Sequence, residues 1–65
     1  MKENYTATIY VNSYEEQYKQ KSGDNLDKLL VWINEEAKES AFDVEIEVVD
    51  NHQNKIIEKR ICKLP

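Results

Sequence analysis

The chain is short of nearly every residue type that carries chemistry or marks a loop: in 65 residues it has one cysteine, one histidine, one glycine and one proline. A lone Cys62 forms no internal disulfide, which points to a reducing interior and removes the disulfide frameworks that staple many small secreted domains. His52 has no acid or nucleophile at a fixed spacing, and the ligands of a metal centre are missing from the sequence. No glycine-rich loop opens a helix, so the phosphate cradle of nucleotide-binding folds is excluded. No apolar run approaches the ~20 residues that cross a bilayer. The opening Met-Lys-Glu-Asn also lacks the apolar core of a signal peptide. These absences describe a cytoplasmic protein with no cofactor, no metal and no membrane partner.

What is present is enough for one fold and little else. Residues 1–65 make a single small domain, and a domain of this size buries only about 60% of the surface its unfolded chain exposes. The composition, 40% hydrophobic and 34% charged, suits a folded domain better than a disordered tail. A substrate pocket of roughly 300 Å³ or more is hard to build within one layer of helix on sheet. With no catalytic residues to assign, the expectation is a protein that is not an enzyme.

The charges are divided along the chain. Residues 24–50 hold nine acidic and two basic side chains, whereas residues 51–65 hold four basic and one acidic. Such a division fits two segments that pair with each other, because opposite charges across neighbouring strands contribute roughly 0.2–1 kcal/mol a pair.

Periodicity gives the elements. Tyr5, Ala7, Ile9 and Val11 alternate with Thr6, Thr8 and Tyr10, the pattern of a half-buried strand. A tight turn at Asn12-Ser13 would set Val11 against Tyr14 and Ala7 against Tyr18, putting Tyr14, Glu16 and Tyr18 on the core side of a second strand, Tyr14 to Lys21. Ser22-Gly23 ends that strand. Asp24 is the expected N-cap of a helix running from about Asp24 or Asn25 to Glu39, with Leu26, Leu29, Leu30, Ile33 and Ala37 on one face. Phe42 to Asp50 alternates again, with Phe42, Val44, Ile46 and Val48 facing inward. After the polar loop Asn51-His52-Gln53-Asn54, Lys55 to Cys62 returns as a fourth strand. An unbroken register pairs Val48 with Ile57, Val44 with Ile61, Glu45 with Arg60 and Asp50 with Lys55. It also sets Lys59 beside Ile46 and Glu47 opposite Glu58.

Strands two and four each carry a charge in the middle of the inward row, Glu16 and Lys59, while strands one and three carry none there. Charged strands belong at sheet edges, where a side chain reaches water. The expected fold is therefore α+β: a ββαββ chain forming a four-stranded antiparallel sheet in the order 2-1-3-4, with one helix packed on one face.

Four features are candidates for function. Val31 and Trp32 lie off the apolar stripe of the helix and offer an anchor for an unknown protein partner or for a homodimer; as a structural alternative, Trp32 closes the open edge of the core. Tyr10 is expected on the sheet face away from the helix, where aromatics stack bases in some RNA-binding modules, but Asp43, Glu45 and Glu47 make that setting acidic. Glu35, Glu36, Glu39, Asp43, Glu45 and Glu47 form an acidic set, suited to a solvated surface or to mimicry of nucleic acid toward a DNA-processing protein. Lys55, Lys59, Arg60 and Lys63 are the only clustered cations, and a nucleic-acid-linked regulator would use them against phosphates. The net charge of −4 opposes that use. A non-enzymatic protein-interaction module is the leading expectation.

The segments Thr8-Ile-Tyr-Val-Asn-Ser-Tyr, Asp27-Lys-Leu-Leu-Val-Trp-Ile and Val44-Glu-Ile-Glu-Val-Val-Asp resemble small uncharacterised proteins carried by conjugative and other mobile elements of low-GC Gram-positive bacteria. The resemblance implies an accessory product of a mobile element. It assigns neither activity nor site residues.

Overall fold

In the computed structural model, which describes residues 3–11 and 17–63, strands β1 (Tyr5–Val11) and β2 (Gln17–Gly23) precede helix α1 (Leu26–Glu39), followed by β3 (Val44–Asp50) and β4 (Lys55–Cys62). The strands form one antiparallel sheet in the order β2-β1-β3-β4. This is the expected α+β arrangement, with the helix on one face.

The two strands with no charge in the middle of their inward rows, β1 and β3, are central, and they make most of the core. Ala7 and Ile9 of β1 and Val44, Ile46 and Val48 of β3 are buried against Leu29 and Ile33 of α1. Leu26, Leu30 and Ala37 complete the helix stripe as partly buried neighbours. Burying each aliphatic side chain contributes roughly 1.5–3 kcal/mol, so this small set supplies most of the drive to fold.

The cap of the helix differs from expectation. Asn25 is the N-cap, its side-chain oxygen accepting from the Lys28 amide at 3.2 Å. Asp24 serves another end of the chain, its Oδ1 accepting from the Asn4 amide at 2.9 Å. Both satisfy amides that would otherwise lack a partner, but only Asn25 has the extended backbone immediately before the first helical turn. β3 also starts later than its alternation suggests. Ser40 Oγ accepts from the Phe42 amide and donates to the Phe42 carbonyl, a local turn that leaves Phe42 exposed ahead of the strand.

Two registers depart from expectation, each by an odd number of residues. Val11 pairs with Gln17 and Ala7 with Lys21, so residues 12–16 connect the strands and Tyr18 lies opposite Tyr10. The expected turn at Asn12-Ser13, with Tyr14 and Glu16, falls outside the described residues. The second departure is a β-bulge. Asp50 pairs with Lys55 and Val49 with Ile56 as expected, but Val48 then pairs with Glu58, leaving Ile57 as the extra residue. From there Glu47 meets Lys59, Ile46 meets Arg60, Glu45 meets Ile61 and Val44 meets Cys62. A one-residue slip sends every following side chain to the other face. The bulge separates Glu47 from Glu58 and exchanges Lys59 beside Ile46 for Arg60, with Glu58 beside Val48.

The 51–54 turn is tied down by its own polar groups. Asp50 Oδ1 accepts from the amides of His52 at 2.9 Å and Gln53 at 3.2 Å. Asn54 takes the left-handed conformation, φ 51°, which asparagine tolerates better than most residues. Asn51 Nδ2 donates to the Glu3 carbonyl at 2.9 Å and to Thr6 Oγ1 at 2.7 Å, stitching this turn to the start of β1.

Candidate interaction surface

The sheet has two faces, and the helix covers only one. On the covered side the edge strands bring charges, and each charge finds a use. Lys19 of β2 pairs with Glu36 of the helix at 3.0 Å. Lys21 lies over the Trp32 ring, 5.8 Å from its centroid, a cation–π contact that leaves the ammonium in water. Across the sheet Arg60 donates to Asn34 Oδ1 of the helix and lies 3.6 Å from Glu58. Trp32 is half-buried and packs against the core, while Val31 beside it is exposed. Cys62 is a free thiol, half-buried at the end of this face.

The other face has no covering layer among the described residues. Its side chains fall into three rows read directly from the register. The first row runs Tyr18, Tyr10, Glu45, Ile61; the second Gln20, Thr8, Glu47, Lys59; the third Ser22, Thr6, Val49, Ile56. On this face Tyr18 is 67% exposed, Ile61 63%, Ile56 52% and Tyr10 45%; the bulge residue Ile57, outside the three rows, is 44% exposed. At about 200 Å² for a large side chain, these exposures amount to on the order of 500 Å². The whole chain exposes 5045 Å², so a tenth of its surface lies in five large hydrophobic side chains. They stand as a Tyr10–Tyr18 pair at one corner of the face and Ile61 and Ile56 at two others, with Glu45 and Lys59 between them.

Several polar groups of this face are partnered with one another. Gln20 Nε2 donates to Thr8 Oγ1 at 3.1 Å, Thr6 Oγ1 and Ser22 Oγ share a hydrogen bond of 3.0 Å, and Lys59 Nζ lies 3.5 Å from Glu45 Oε1. Tyr10 and Tyr18 pack with ring centroids 6.3 Å apart at a 40° tilt, within the range of favourable aromatic pairs. A surface whose polar atoms satisfy each other loses less on being covered than one whose groups rely on water.

No protein-family model, curated protein or solved structure matches the chain. Its function must be argued from these surfaces.

The residues singled out in the sequence fall on several of them. Val31 and Trp32 share the helix flank, with Lys21 on the tryptophan ring. The four cations separate: Lys59 is on the open face, Arg60 on the helix side, Lys55 is opposite Asp50 in the pairing, and Lys63 follows the end of β4. The acidic set is spread likewise, with Glu35, Glu36 and Glu39 on the helix and Glu45 and Glu47 on the open face. Among the described residues no three His, Cys, Asp or Glu side chains gather as metal ligands, and no helix is long and apolar enough to cross a membrane. A shallow groove of about 240 Å³ lies between the first two strands and the helix end, lined by Ile9, Val11, Lys19, Glu36, Glu39 and Ser40. The Lys19–Glu36 ion pair belongs to its wall.

Sequence reasoning missed Tyr18 and Ile61 as surface residues, because the two expected registers place them inward. The signals were available. Tyr10 and Tyr18 make a good aromatic cross-strand pair, and a slip in β4 exchanges the Glu47–Glu58 clash for Glu47–Lys59.

Proposed function

We propose that this chain is a non-enzymatic protein-interaction module whose contact surface is the open face of the sheet. One observation carries the reading: large apolar side chains stand exposed across one uncovered face, among polar groups that pair with each other. Aromatic and aliphatic anchors of this kind supply most of the energy at protein interfaces. The helix flank is the smaller surface, since Trp32 already contacts the core and Lys21.

A photo-crosslinking amino acid placed in turn at positions 18, 61 and 31 tests it in cells of the source organism. Protein adducts from positions 18 and 61, with few from Val31, are the expected result. Adducts confined to position 31, or none at all, would transfer the function to another surface.

A further inference from the structure

We propose that the occupant of the open face is a second copy of this chain, stacked face to face about a two-fold axis that runs along the strands. The proposal deepens the reading above and rests on it. Two observations carry it: the distribution of charge over the three rows, and the area the face offers.

Two sheets stacked in the aligned manner can be related by a two-fold axis lying between them, either along the strands or across them. The two choices bring different residues together. With the axis across the strands, each strand lies over itself and the middle row meets its own copy. Glu47 then faces the partner's Glu47 and Lys59 the partner's Lys59, while Glu45 is pressed onto the partner's Val49. Like charges opposed in a desolvated interface are strongly unfavourable.

With the axis along the strands, β2 lies over the partner's β4 and β1 over the partner's β3, and each row meets its own row reversed. Tyr18 then covers the partner's Ile61, and the partner's Tyr18 covers Ile61. Tyr10 covers the partner's Glu45, whose carboxylate can accept from the tyrosine hydroxyl while keeping Lys59 of its own chain, 3.5 Å away. Thr8 covers the partner's Glu47, and Gln20 the partner's Lys59. In the third row Thr6 and Ser22 cover the partner's Val49 and Ile56. No charge meets its like in any row, and the two most exposed hydrophobic side chains, Tyr18 and Ile61, cover each other twice. The face is self-complementary about this axis and not about the other.

The area is adequate and modest. Four strands about 4.8 Å apart and seven residues at about 3.3 Å give a face of roughly 19 by 23 Å. Side-chain relief raises the accessible area above that flat footprint, toward the roughly 800 Å² per partner of standard interfaces. A face at or below that size fits a reversible dimer that dissociates on dilution.

Other surfaces offer a second copy less. The β2 edge carries Lys19 and Lys21 in its helix-side row, both already engaged with the helix. The β4 edge is interrupted by the bulge at Ile57, a feature that discourages edge pairing.

The test is sedimentation velocity of the purified full chain from tens of micromolar to about a millimolar, read beside Ile61→Lys, Tyr18→Ser and Val31→Ser. The expected result is a mass rising from 7.7 kDa toward twice that value, with dimerisation weakened about tenfold or more by Ile61→Lys and by Tyr18→Ser and unchanged by Val31→Ser. Circular dichroism confirms that each variant is folded, and Tyr18→Ser carries the test if Ile61→Lys is not. Mixing wild type with Glu47→Lys fixes the axis: native mass spectrometry should find mixed and unmixed dimers in statistical proportion. A concentration-independent 7.7 kDa species, or a dimer insensitive to both face variants, would overturn the proposal. So would strong preference for the mixed dimer, which belongs to the axis across the strands. A monomer that still gives adducts to a different protein from positions 18 and 61 would refute the second copy alone. A monomer without those adducts would refute the contact surface as well.

Discussion

The two faces of this sheet carry similar numbers of large hydrophobic residues but are finished differently. On the helix side the apolar residues sit on the two central strands and the charges on the two edge strands, so one helix suffices to cover the middle while lysines and an arginine close the sides. On the open side the order is reversed: Tyr18 and Ile61 stand on the edge strands, and Glu45 and Glu47 on a central one. A single helix laid over the middle would bury those glutamates and leave the hydrophobic edges wet. Only a cover as wide as the sheet suits that arrangement. The contrast teaches that apolar content alone does not mark a core; where the charges sit relative to the sheet edges decides what kind of cover a face accepts.

The largest way to break the contrast is to hollow the helix side. Ile46→Ala, at a fully buried position of β3, should cost about 2–5 kcal/mol. A small domain has only a few kcal/mol in all, so urea denaturation should find the variant largely unfolded. A midpoint close to wild type would show that Ile46 is not in the core. Asn51→Ala removes two hydrogen bonds that join the 51–54 turn to the chain start. It should cost about 1–2 kcal/mol, seen as a lower melting temperature with the fold retained; no change would mean that water replaces the side chain freely. Lys21→Ala sharpens the account of the edges. Loss of the cation over Trp32 should cost about 0.5–1 kcal/mol and shift the emission of the only tryptophan to longer wavelength. An unmoved spectrum would mean that the lysine shields nothing. A comparably small effect is expected on the open face: Tyr18→Ser, measured at high dilution, should cost about 0.2–1 kcal/mol, the worth of its cross-strand pairing with Tyr10. A loss as large as that of Ile46→Ala would erase the distinction between the faces.

Much of this plan was legible in the sequence, and the strand order shows why. Edges were assigned from charge in the inward rows, attributed to Glu16 and Lys59. The described inward row of β2 instead carries Lys19 and Lys21, and that of β4 carries Glu58 and Arg60. The order 2-1-3-4 is unaffected, because the inward row of each edge strand still carries two charges in its middle, whereas the inward rows of β1 and β3 carry only Asp50, at the end of β3. The edge rule therefore survives both departures, and in β4, whose two alternating sets both contain charges, it would hold in either register. The open face is sensitive to it. Its two most exposed hydrophobics, Tyr18 and Ile61, are on the open face only because Val11 pairs with Gln17 and β4 has a bulge. Helix existence and stripe followed from periodicity, while the cap fell on Asn25 instead of Asp24 because backbone conformation, not residue type, selects between neighbouring good caps.

The stitch made by Asn51 also bears on the order in which the molecule comes into being. It joins residues 45 positions apart, and the central pair of strands, β1 with β3, spans the chain in the same way. The first hairpin to leave a ribosome has no core of its own, since its inner apolar residues wait for β3. Long-range pairing of this sort is the slow part of folding. The domain therefore stays uncommitted through most of its synthesis and gains its core nearly all at once, when the third strand arrives. A chain ending at residue 42 should accordingly show no cooperative unfolding transition by circular dichroism, and finding one would mean that the hairpin and helix hold together without β3.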